Sequence, residues 1–459
     1  MEITKRLAEF IVDTDTGSIP QAAFPAARDA FIDCLGVTLA GSQEEAGRII
    51  ASFLRKLGGE PRAAVVGWGF RTPPPEAALA NGTAAHALDY DDVSPGIRGH
   101  PSVVLLPPVL ALGEEAHASG REVLAGYIIG FEVASRVGNA MSADYSDDLG
   151  WHPTAPLGAL GAAAASARLL RLDKRQTAMA LGLAASQAAG LRQNFGTMTK
   201  PFHAGNAARS GVVAALLAAE GFTAAEDVIE GRFGFCHAFS GGQGYDVKRI
   251  LEGLGNPYQV VSPGVGLKRY PCCGSAHGAL DAILHLIQEY DIPPEKVSRI
   301  ECSVPFDPPR SLIHYRPQTG LEGKFSMHYC MAAALLDRKV GLKSFTAAAV
   351  LRPQAQRLIE KVEMHRHPGD EGKPSWVSPY YLVRVRLDDG REYQHRIEDA
   401  RGDAQRQRSM TPDEIAAKYR DCASLALDES ATERSLALLG RLEELEDITE
   451  LMDIVMGEA

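Results

Sequence analysis

Between Ala84 and Pro101 the sequence reads AAHALDYDDVSPGIRGHP. His86, Asp89, Asp91 and Asp92 fall within seven positions, and Arg98, Gly99 and His100 follow before a second proline. Carboxylates, imidazoles and a guanidinium beside a loop with little apolar content are the materials of acid–base chemistry, and loops on rigid scaffolds often carry it. The plainer alternative is an acidic helix end followed by a solvated turn. Further stretches of the same character weigh toward chemistry.

In Gly150-Trp151-His152-Pro153-Thr154, His152 stands at the entry to an Ala-rich helix, where open amide donors suit an anion, although a ring packed under Trp151 would look the same. Lys200 and His203, in TKPFHAGN, are three residues apart at the next helix entry and share a face or flank that entry. A lysine there opposes the helix dipole unless an anion lies beside it, which hints at a carboxylate ligand. Lys268 and Arg269 precede the turn Tyr270-Pro271-Cys272-Cys273, and adjacent cations of these two kinds suit carboxylates, or are a solvated pair. A weaker segment, Glu322 to Tyr329, adds Lys324 and His328, with no ligand pair at conventional zinc spacing.

The elements that must position these residues are mostly helical. Residues 1–54 read as two helices broken at Gly17-Ser18-Ile19-Pro20, and residues 58–75 as an extended segment closed by prolines. From Glu76 to Ala219 the pattern is Ala-, Gly- and Leu-rich helix, and GALGAAAA at 158–165, with no strand before it, reads as close helix packing, not a dinucleotide loop. The character changes near Gly255. Val297–Val304 alternates as a strand, and so does Tyr381–Leu387, which turns through Asp388-Asp389-Gly390 into Glu392–Ile397. The last sixty or so residues return to helix. The predicted fold is mainly α with an α+β lid: a discontinuous helical domain, 1–264 and 401–459, and a smaller inserted α+β domain, 265–400.

With 459 residues the chain is ample for a large core, and 45% hydrophobic with 23% charged residues is ordinary for a globular protein. A net charge of −11 offers no basic face for nucleic acid, yet a local cluster of cations can still hold an anionic substrate. The first residues are charged and lack a secretory core, and no run is apolar enough for a bilayer, so a cytoplasmic protein without membrane contact is expected. Seven scattered cysteines without a CxxC pair fit reduced thiols.

Taken together, HALDYDD followed by GHPS, then HPT, TKPFHAGNAARSG, KRYPCC and GKFSMHY resemble the MmgE/PrpD family, in the family's order and over essentially the whole length. That family includes 2-methylcitrate dehydratase, cis-aconitate decarboxylase and iminodisuccinate epimerase. The resemblance implies a homodimer with no metal or organic cofactor, acting on a small di- or tricarboxylate. It assigns the chemistry to Asp89, His100, His152, Lys200 and Lys268 and places Tyr329 at the site; Arg269, His203 and Cys273, near these residues in the chain, are the other candidates for binding substrate. Two departures count against a decarboxylase: Val93 stands where that enzyme has threonine, and Cys273 where it has histidine.

The expected reaction is therefore cofactor-independent dehydration of the 2-methylcitrate dehydratase type. A proton is abstracted next to a carboxylate and water is eliminated from a hydroxy-polycarboxylate, with His100 and His152 as the acid–base pair and Asp89 partnering one of them. An iminodisuccinate epimerase-like isomerase is the alternative, then a cis-aconitate decarboxylase-like lyase. A non-catalytic carboxylate-binding protein is the reading from another class.

Overall fold

Prolines at the start of helices and glycines at their crossings set the architecture, seen in a computed structural model that describes residues 2–142, 144–372, 379–398 and 410–458. The chain divides into two units: Met1–Gln193, Thr199–Leu267 and Thr411–Ala459 form one, Asn194–Met198 and Lys268–Met410 the other. The lid boundary expected at residue 400 falls outside the described residues.

The first unit begins with α1 (Ile3–Asp13), α2 (Ala23–Ser42) and α3 (Glu45–Leu57). Two helices were expected here, and there are three. At the end of α2 the backbone of Gly41 lies so close to a later helix that an added Cβ would sit 1.9 Å from the Ala84 carbonyl oxygen. The chain breaks at Gln43-Glu44, immediately beyond this contact, before α3 starts. The extended segment is a short antiparallel hairpin, β1 (Ala63–Val65) and β2 (Phe70–Thr72). Then α4 (Pro74–Ala87) starts with proline in its first turn, where no amide donor is lost. It is followed by α5 (Ser102–Glu115), α6 (Gly120–Ala140), α7 (Asp144–Asp147), α8 (Thr154–Leu169), α9 (Lys174–Gln187), α10 (Thr199–Ala219) and α11 (Phe235–Phe239). Residues 158–165 lie inside α8, where a Cβ on Gly158 would meet the Val104 side chain at 2.7 Å. That is close packing of small residues, as the sequence suggested.

The second unit holds α12 (His277–Tyr290), β3 (Val297–Val304), α13 (Gly320–Gly323), α14 (Met327–Asp337), α15 (Ala347–Val350), α16 (Pro353–Ile359), β4 (Val362–Arg366), β5 (Tyr381–Leu387) and β6 (Glu392–Ile397). Its sheet runs β4-β3-β5-β6, with β3 parallel to β4 and the other pairs antiparallel. Val383, Val385 and Leu387 are buried in one core with residues of α12 and α14, as the alternation in the sequence required. The chain then returns to the first unit as α17 (Pro412–Ala423), α18 (Glu429–Gly440) and α19 (Thr449–Val455). The fold is mainly α with a small sheet. Among the described residues no helix is long and apolar enough to cross a membrane.

Candidate functional site

Two helices bring the first residues together. Where α4 crosses α10, a Cβ on Gly82 would lie 2.8 Å from Gly205 Cα, and one on Gly205 would lie 2.3 Å from the Leu79 carbonyl oxygen. Glycine at both positions lets the helices touch backbone to backbone. One turn beyond Gly82, His86 therefore meets Lys200 in the first turn of α10, with Nζ 2.7 Å from His86 Nε2. Just past α4, Asp89 takes a left-handed turn (φ 50°), and its Oδ1 accepts from the same ammonium at 2.7 Å. The anion that a lysine needs at a helix entry is here the protein's own Asp89.

Asp91 bridges two imidazoles. Its Oδ1 lies 2.9 Å from His86 Nδ1 and its Oδ2 2.7 Å from His100 Nδ1. His100 Nδ1 also lies 3.0 Å from the Asp92 carbonyl oxygen. With both Nδ1 atoms facing acceptors only, the network assigns each neutral ring its proton on Nδ1 and its lone pair on Nε2. His86 spends that lone pair on Lys200. His100 Nε2 is 3.8 Å from Asp89 Oδ1, beyond a hydrogen bond.

The loop reaches this geometry through close contacts. Val93 exchanges two main-chain hydrogen bonds with Gly266, at 2.9 and 2.8 Å, and the His100 amide donates to Thr154 Oγ1 at the start of α8. There Gly99 passes so near that a Cβ would lie 2.7 Å from Thr154 Oγ1. His152, whose amide donates to the Gly190 carbonyl, places its Nδ1 3.1 Å from His203 Nδ1. The His100 and His152 ring centroids are 6.2 Å apart, and those of His86 and His152 5.7 Å.

Burial governs the charge states. It pushes His86 down to about 3, with Lys200 and His100 adding to the shift against the opposing pull of Asp91. His152 is held well below the usual imidazole range by burial and then by Lys200, and the same two causes bring His203 to about 4. Burial alone would raise Asp91, but the two imidazoles hold it well below the usual carboxylate range. Asp92 goes the other way, to about 8, raised by burial and then by Asp91 and Asp33 against hydrogen bonds from Ser102. One ionised carboxylate thus sits against the neutral His86 ring, next to a carboxyl that holds its proton at neutral pH.

Ring nitrogens of His86, His100 and His152 lie within 4.8 Å of one another, and the same holds for donor atoms of His86, Asp89, Asp91 and His100. These are the residues that could ligate a metal. The Lys200 ammonium, however, already bonds His86 Nε2 and Asp89 Oδ1, so a cation would have to displace it against charge repulsion.

Of the residues singled out in the sequence, Asp89, His100, His152, Lys200 and His203 come together in the first unit. Lys268, Arg269, Cys273 and Tyr329 belong to the second. There Lys268 is buried, Arg269 is half-exposed and 3.4 Å from Asp281, and the Cys273 amide donates to the Lys324 carbonyl. Tyr329, expected to bind substrate, is wholly buried on α14, and its hydroxyl donates to the Ser344 carbonyl. The sequence reading did not count His86 and Asp91 among the site residues. The available signal was their spacing of five, which carries a side chain from the last turn of α4 around the Asp89 turn.

Residues 5–248 match the MmgE/PrpD N-terminal domain and residues 270–444 the MmgE/PrpD C-terminal domain. The chain is 28% identical to a cis-aconitate decarboxylase of Homo sapiens, over 99% of this chain and 95% of that protein. It is also 28% identical to a cis-aconitate decarboxylase of Aspergillus terreus, over 99% of this chain and 96% of that one. A cis-aconitate decarboxylase-like protein of Aspergillus oryzae matches at 28% over 99% of this chain and 98% of its own length. Matches that follow the chain in order through both domains, the first spanning the clustered histidines and lysine, make this protein a member of the MmgE/PrpD family.

Proposed function

We propose that the chain is a cofactor-independent lyase that moves a proton at a carbon next to a carboxylate of a small di- or tricarboxylic acid, with dehydration of a hydroxy-polycarboxylate of the 2-methylcitrate type as its reaction. The observation that carries this reading is the Asp91 bridge, which leaves His100 with its lone pair on Nε2 and a carboxylate behind Nδ1. His100 Nε2 takes the proton, and Asp91 stabilises the imidazolium that forms, typically a contribution on the order of 10²–10⁴-fold. Lys200, with Asp89 as counter-ion, neutralises the developing enediolate. Elimination also needs an acid for the departing hydroxide. His152 is neutral, so it is no imidazolium donor, and Lys200 is the better candidate for that proton.

Decarboxylation of cis-aconitate is the second reading, favoured by the activity named for the relatives and opposed by Val93 and Cys273. Epimerisation fits less well. It needs bases on opposite faces of one carbon, roughly 6 Å apart if each approaches to contact distance, whereas ring nitrogens of His100 and His152 lie within 4.8 Å. A homodimer, implied by the resemblance, belongs to this proposal and is tested by light scattering.

The deciding experiment incubates the purified protein with citrate, 2-methylcitrate and cis-aconitate, reading enoate absorbance, CO2 release and solvent-deuterium uptake. Enoate from a hydroxy acid supports dehydration, CO2 from cis-aconitate moves the assignment to the second reading, and exchange without net product indicates an epimerase. No turnover or exchange with any acid refutes the lyase. Lys268→Ala tests the role that the resemblance gives Lys268; unchanged turnover would remove it from the chemistry.

A further inference from the structure

The carboxy-terminal segment sends one side chain to the loop that carries Asp89 and Asp91. From α17, Lys418 places Nζ 2.6 Å from Asp33 Oδ1 on α2 and donates to the Tyr90 carbonyl oxygen at 2.8 Å. The same ammonium lies 3.8 Å from the centre of the Tyr90 ring. Both charged side chains are buried, 3% and 0% exposed. We propose that Lys418 is a positioning residue for the acid–base cluster: it tethers the peptide between Tyr90 and Asp91, so that Asp89 faces Lys200 and Asp91 faces its two imidazoles. The inference rests on the cluster being the proton-transfer site and adds to it a residue from the far end of the chain.

The Tyr90 carbonyl belongs to the peptide unit whose nitrogen is that of Asp91, so holding this oxygen fixes the plane between the two acids. An inward-facing carbonyl needs a donor, and a charged donor is the stronger kind. The neighbouring residue is the one that most needs the support, because Asp89 is held in the left-handed region, uncommon for a residue with a Cβ. The lysine in turn needs a counter-ion once buried, and Asp33 is placed to supply it. Asp33 is also one of the charges that push Asp92 up, so the ammonium offsets negative charge beneath the loop as well.

A purely structural ion pair would matter for stability alone, and two variants separate the roles. Lys418→Met leaves Asp33 without the ammonium and should lower Tm. Asp33→Asn combined with Lys418→Met removes both charges and should recover most of that loss, while the Tyr90 carbonyl still lacks its charged donor. In the double variant we expect kcat to fall tenfold or more with KM within twofold, on whichever acid the wild type turns over. The 15N imidazole resonances of His86 and His100 should move away from the protonated-Nδ1 pattern. Wild-type kcat with unmoved resonances in the folded double variant would overturn the proposal. If the wild type turns over no acid, the lyase reading fails separately, and the resonances alone decide: moved supports the tether, unmoved overturns it.

Discussion

Replacing Asp91 with asparagine keeps the side chain's shape and removes its charge, and the effect on the two imidazoles is set by hydrogen-bond geometry. In the wild type Oδ1 accepts from His86 Nδ1 at 2.9 Å, and Oδ2 lies 2.7 Å from His100 Nδ1, which also faces the Asp92 carbonyl oxygen at 3.0 Å. A carboxamide accepts on one side only and donates on the other. One ring must therefore surrender its Nδ1 proton and carry it on Nε2. If His86 did so, its Nε2–H would point at the Lys200 ammonium 2.7 Å away, donor against donor. The cheaper change falls on His100, whose Nε2 would then be protonated and unable to accept. Loss of a positioned base costs on the order of 10²–10⁴ in rate, about 3–5 kcal/mol of barrier at roughly 1.4 kcal/mol per decade. Asp91→Asn should thus lower kcat at least a hundredfold with little change in KM, in a protein whose circular dichroism is unchanged. The assay is steady-state kinetics on the acid found in the substrate screen. A folded variant with kcat within threefold of wild type, or a loss confined to KM, would refute the assignment of Asp91 as the residue that orients the base.

Stability should peak near pH 6.5. His86 has its folded pKa near 3 against an ordinary value of 6.5, so the unfolded chain binds more protons between those values and stability falls as pH drops through them, by at most on the order of 5 kcal/mol; His152 and His203 act in the same direction. Asp92, raised from 3.8 to about 8, holds its proton better when folded, so its contribution is present at low pH and is lost as pH rises toward 8. Below pH 6.5 the three imidazoles outweigh it, and above that Asp92 acts without them. Asp92→Asn should flatten the alkaline limb of a Tm-against-pH curve, and an unchanged limb would show that Asp92 is not the group responsible. Lys200→Met should abolish turnover and open the cluster to a divalent cation, seen as Co2+ absorption with the variant but not the wild type; absence of Co2+ binding by the folded variant would mean that the lysine is not what keeps a metal out. Gly205→Ala should lower stability by about 1–3 kcal/mol despite alanine's better helix propensity, because its methyl would meet the Leu79 carbonyl at 2.3 Å; an unchanged Tm would show that the crossing can widen.

Much of the fold is legible in the sequence, because local periodicity reports which face of an element is buried. Alternating Val383, Val385 and Leu387 with Asp388-Asp389-Gly390 could form little else than a strand and hairpin, whereas Pro74, read as closing an extended segment, opens a helix. By contrast, β4 and α14 escaped the sequence reading: Val362–Arg366 has one fully buried apolar side chain, and Met327–Leu335 is buried on every side, so neither shows a clean period. The candidate site divides in the same way. His100, His152 and Lys200 stand at loop and helix edges that sequence alone can point to. Their partners could not be read there, since His86 and Lys200 are 114 positions apart, and Tyr90 and Lys418 are 328 apart. Which hydrogen bond each buried polar group makes depends on which helices cross and how closely. That closeness was decided by two glycines, Gly82 and Gly205, whose missing side chains acquire meaning only when the helices meet.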